Sequence, residues 1–130
     1  RVATVLRSGG NPSWPGNDDD GREVVERYTQ AMAVPFVAHS AMEYFRWAVR
    51  SQVRGDGRTF NETVGRPVDV PVLHVQGTRD AYVLPSSARG SEQLVTGPYR
   101  YVELDAGHYL PEERPRDVTG LLLDWLTELG

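Results

Sequence analysis

The sequence predicts an α/β fold: short parallel strands with flanking helices, preceded by a helical region. Three observations predict it. The run Pro71 to Asp80 (PVLHVQGTRD) is apolar or β-favouring through Val75, broken only by a proline and a histidine, and Gly77 ends it. Such a short apolar run bounded by turn residues reads as a buried parallel strand. A second strand pattern, Tyr99 to Leu104 (YRYVEL), leads into Asp105-Ala106-Gly107-His108, and a helix-length segment from Pro85 to Val95 separates the two. Finally, Val118, Leu121, Leu122, Trp125 and Leu129 recur at spacings of three and four, the stripe of a closing amphipathic helix. Strand, helix, strand, helix in that order is the pattern of a parallel sheet.

Taken in order, residues 1–21 read as loop after a short apolar start, Val2 to Leu6, because Ser8 to Asn17 is dense in turn formers. Asp18-Asp19-Asp20 does not make a calcium loop, since its carboxylates are adjacent rather than alternate and no glutamate closes the set. Asp20 is instead expected to cap a helix over Gly21–Ala33, with Glu23 completing a capping box. Pro35 ends that helix, and a second is expected from Phe36 to Arg54. Val37, Ala41, Phe45, Ala48 and Gln52 lie on one face of it, with Ser40, Glu43, Arg50 and Arg54 on the other. Gly55-Asp56-Gly57 should stop it, leaving 58–69 as an irregular linker. The chain thus divides into a helical part, 1–66, and a strand-helix part, 67–130. Two strands alone leave sheet edges open and bury little, so the chain reads as one portion of a larger sheet.

Composition narrows the function classes. Of 130 residues, 14 are basic and 18 acidic, and every basic residue is a scattered arginine. That balance argues against nucleic-acid binding. No apolar run reaches the length of a membrane span. Cysteine is absent, which excludes disulfides and thiolate metal sites. The three histidines carry no metal-ligand spacing, so neither a metal nor another cofactor is expected. No signal peptide is recognisable, and the expected compartment is the cytoplasm.

Each strand delivers a titratable residue just past its C-terminal end, where open parallel sheets place their chemistry. These residues are Asp80 and His108. An acid and a histidine so placed make two thirds of a catalytic triad, and their side chains are expected within about 2.6–3.2 Å. Asp105 is a rival acid closer in sequence, but it ends a strand and reads as a cap. His74 lies inside a strand and reads as core; His39 reads as solvated. Ala38-His39-Ser40-Ala41-Met42 echoes a nucleophile elbow, yet Met42 is too large for that tight turn and the stretch continues a helical stripe. Ser40 is therefore rejected as the nucleophile.

PVLHVQGTRD resembles the seventh strand of an α/β-hydrolase with its triad acid. AGHYLPEERP (Ala106 to Pro115) resembles the histidine loop of the same family. Ala41 to Trp47, with Arg50-Ser51 and Asp56-Gly57, is similar to the helical cap of the epoxide-hydrolase-like and haloalkane-dehalogenase-like branch. The resemblance implies a helical cap over 1–66 and the C-terminal portion of an α/β-hydrolase core over 67–130. It makes Asp80 the triad acid and His108 the base. The nucleophile, serine or aspartate, would sit on an elbow upstream and outside this chain. It further implies cofactor-independent hydrolysis of a small apolar ester or epoxide. Tyr44, Phe45 and Tyr28 are then the candidate substrate-binding residues. Epoxide hydrolases of this kind hold the epoxide oxygen with two cap tyrosines, one of which precedes an arginine. Here Phe45 precedes Arg46, and Tyr44 stands one place earlier. The expected partner is the missing N-terminal half of the core, with a homodimer as an open alternative. A reading from another class stands beside this one: a catalytically incomplete binding or structural half.

Overall fold

A computed structural model describes residues 1–130. Its sheet has two strands, β1 (Val72–Gly77) and β2 (Tyr99–Leu104), paired in parallel from Val72 opposite Tyr99 to Gly77 opposite Leu104. The register brings both strand ends to the same edge, and with them the loops that carry Asp80 and His108. A bridge between Val68 and Val95 extends the pairing just before β1. The crossover is one short helix, Pro85–Gly90, followed by a 3-10 turn over Ser91–Leu94. The closing helix runs from Pro115 to Glu128, with proline at its start where the missing N–H costs nothing, and buries Trp125.

The helical part differs from the expectation in four places. Residues 2–9 form helix α1 (Val2–Gly9) rather than loop. Val2, Val5 and Leu6 already have helical spacing, and Leu6 is buried; the turn formers beyond Ser8 mask that short signal. Helix α2 (Asp19–Ala33) begins earlier than Gly21, and its cap is Asp18, whose Oδ1 accepts from the backbone N–H of Gly21 at 2.9 Å. Asp19 and Asp20 then lie in the first turn, where the helix dipole favours acids. Helix α3 runs from Val37 to Ser51. It starts after Phe36 because that residue takes a left-handed φ of 69°, which no helical residue can adopt.

The linker expected over 58–69 is largely helix α4 (Gly55–Val64). Gly55 and Gly57 mark a junction between two helices, not the end of helical structure. A Cβ on Gly57 would fall 2.0 Å from the backbone oxygen of Ser51, so glycine lets α4 close onto the end of α3. Trp47 and Phe60 pack edge to face across that junction at 4.9 Å.

The apolar face of α3 is largely unburied. Phe45 is 62% exposed, Val49 74% and Tyr44 71%. Only 12 of 130 residues are buried, so this chain has a thin core around the strand ends and leaves wide apolar surface on α3 and on the last helix. No helix is long and apolar enough to cross a membrane.

Candidate active site

Asp80 stands on the loop after β1, and its carboxylate is tied down on both oxygens. Oδ1 accepts the backbone N–H groups of Tyr82 at 2.8 Å and Val83 at 2.9 Å. Oδ2 faces Nδ1 of His108 at 3.0 Å and the amide of Gln76 at 3.4 Å. The Asp80 side chain is only 6% exposed. Burial alone would raise its pKa, but the hydrogen bond from His108 and the two backbone donors outweigh it and hold the carboxyl below the usual aspartate range. Such a depressed group stabilises the fold at pH above its unfolded value, about 3.9, and that stability is lost as pH falls through the folded value. Unfolding measured at pH 6 and pH 3 should therefore show a loss in acid that shrinks in Asp80→Asn; an equal loss in the variant would contradict it.

His108 follows the tight Ala106-Gly107 turn. Ala106 is fully buried. A Cβ on Gly107 would meet the backbone of Gly9, Gly10 and Asn11 at 2.5 to 2.6 Å, so only glycine lets the histidine loop lie against the end of α1. The His108 backbone N–H donates to the Gly9 oxygen at 2.7 Å. Its ring is clasped edge to face by Tyr82 at 5.0 Å and Tyr109 at 5.4 Å. With Nδ1 donating to the carboxylate, the neutral imidazole carries its lone pair on Nε2, which makes no hydrogen bond within the chain. The side chain is 39% exposed. An oriented imidazole with an open Nε2 can take a proton from a nucleophile or a water.

The rival acid is engaged elsewhere: Asp105 forms a two-point ion pair with Arg79, at 2.6 and 2.9 Å. His74 hydrogen-bonds the Ser91 hydroxyl at 3.0 Å and packs on Tyr101, as an internal strand residue does. His39 is exposed, 3.9 Å from Glu43. Ser40 lies exposed in the first turn of α3, with no strand before it.

Of the three candidate substrate residues, Tyr28 reaches this region and the other two do not. Tyr28 donates to Glu112 at 3.2 Å and lines an apolar cavity of about 340 Å³ with Val2, Val5, Leu6, Met32 and Tyr109. Burial, then the Glu112 charge, raise the Tyr28 pKa; burial and the neighbouring Tyr82 phenol raise that of Tyr109, so both hydroxyls stay protonated donors at neutral pH. Tyr44 and Phe45 pack edge to face on each other at 5.5 Å and make no ring contact or hydrogen bond with the histidine.

The sequence reading missed three contributors. Gln76 is a buried amide at the end of an apolar strand, and that polarity was the available signal. Tyr82 joins the site through its backbone N–H to Asp80 and its ring against His108, and its hydroxyl and that of Ser8 share a hydrogen bond at 2.9 Å, which sequence does not reveal. Glu113, within the histidine loop motif, accepts backbone N–H groups from two separate loops.

Over 72 residues, 55% of its length, the chain is 39% identical to Epoxide hydrolase A of Mycobacterium tuberculosis (strain ATCC 25618 / H37Rv). The match spans 22% of that protein. No protein-family model matches the chain.

Proposed function

We propose that this chain is part of a cofactor-independent hydrolase of the epoxide-hydrolase-like kind, supplying its acid and histidine. The observation that carries the reading is the 3.0 Å contact from Asp80 to His108 Nδ1, which leaves Nε2 open. The similarity to Epoxide hydrolase A supports the hydrolase class. Residues 67–130 would form the C-terminal portion of an α/β-hydrolase core and residues 1–66 its helical cap. The nucleophile and oxyanion donors would stand on a sheet segment outside this chain, completing the two-stranded sheet at an open edge. Tyr28 and the apolar cavity beside it fit a small apolar substrate. Tyr44 and Phe45 would serve substrate only beneath a surface that covers them.

The test is hydrolysis by the complete protein. A small apolar epoxide should be converted to its diol without added metal or cofactor. The 130-residue chain alone should convert none, because a base without nucleophile or oxyanion hole has little to act on. Failure of the complete protein on epoxides and esters alike would favour a catalytically incomplete binding half.

A further inference from the structure

Glu113 sits beyond the histidine and touches neither His108's ring nor Asp80, yet its carboxylate is the hub of the loop that holds them. Oε2 accepts the backbone N–H of Gly107 at 2.7 Å and of Asn11 at 3.1 Å, and Oε1 accepts that of Tyr109 at 3.2 Å. The N–H between those of 107 and 109 belongs to His108 and is bonded to the Gly9 oxygen at 2.7 Å. The three consecutive donors at 107, 108 and 109 are thus all satisfied, two by one carboxylate side chain and one by the end of α1. Charge-assisted bonds to backbone donors are among the strong ones. The same carboxylate crosses between the histidine loop and the loop after α1, where Gly107 admits no side chain. A loop fixed at the backbone on both sides of a residue limits where that residue's ring can point.

We infer that Glu113 is a positioning residue for His108: it fixes the histidine loop so that Nδ1 meets Asp80 and Nε2 faces outward. This rests on the assignment of His108 as the base. The carboxylate also joins the helical part to the strand part at the one place where the imidazole needs a fixed backbone, so its effect should appear on the ring and not only on stability.

The experiment is nitrogen and proton NMR of the complete protein with labelled histidine, His108 being assigned by its loss in His108→Gln. The wild type should show a single Nδ1–H tautomer whose proton signal disappears in Asp80→Asn. Glu113→Gln keeps the size but offers one acceptor oxygen in place of two. It should speed solvent exchange of that proton about tenfold and admit the second tautomer, while the amide signals of β1 and the last helix stay in place. Glu113→Ala should go further in the same direction; if it does not fold, Glu113→Gln decides alone. Wild-type exchange and tautomer in the folded Gln variant would overturn the inference while leaving the His108 assignment standing. A wild-type His108 with no Nδ1–H directed at Asp80 would instead remove that assignment and the inference together.

Discussion

Asp80→Asn in the complete protein should lower kcat by about 10⁴-fold with little change in KM, the scale of losing the orienting acid of a triad. The direction follows from the donors around the carboxylate. Tyr82 and Val83 both present backbone N–H groups to Oδ1, so an asparagine must keep its carbonyl oxygen there. Its NH₂ is then forced into the place of Oδ2, facing His108 Nδ1 and the Gln76 amide. A donor meeting Nδ1 requires the lone pair at Nδ1 and the proton at Nε2. The ring would keep its place but expose N–H where a proton acceptor is needed. Asp80→Ala tests something different, since it strands two backbone donors and should cost stability as well. A folded Asp80→Asn whose kcat stays within tenfold of wild type would show that the carboxylate does not set the tautomer.

Why Asp80 and His108 could be read from sequence, and Glu113 could not, has a physical basis. The pair is marked by position: each residue stands just past an apolar strand, and parallel pairing carries both strand ends to one edge. Local pattern therefore implies their proximity. Glu113 acts on backbone N–H groups of Asn11, Gly107 and Tyr109, and the first of these is remote in sequence. Every residue but proline offers the same N–H, so no pattern announces such a bond. Helices α1 and α4 were hidden by glycines and other turn formers that serve close packing at the helix ends. The stripe on α3 has a helical period, and periodicity shows that a face is apolar, not that this chain covers it. Phe45 and Val49 remain exposed.

His108→Gln in the complete protein should lower turnover by about 10⁴-fold or more, and what accumulates should identify the nucleophile. If that residue is an aspartate, its carboxylate oxygen attacks the epoxide carbon. A C–O bond forms, the ring C–O bond breaks, and the oxygen leaving the ring takes a proton from a nearby donor. None of this uses His108. The imidazole enters only in the second step, where Nε2 takes a proton from water as the water attacks the ester carbonyl. The variant should then stall as a covalent ester whose mass is protein plus substrate. If the nucleophile is a serine, its hydroxyl must lose a proton before it can attack, and Nε2 is the acceptor for it. The first step then fails as well, and the variant should keep its unmodified mass after incubation with epoxide or ester. Glutamine suits the test because its amide can still face the Asp80 carboxylate, which keeps that buried charge partnered. Intact-mass spectrometry of the incubated variant reads the difference directly, and turnover at the wild-type rate would remove His108 from the reaction altogether.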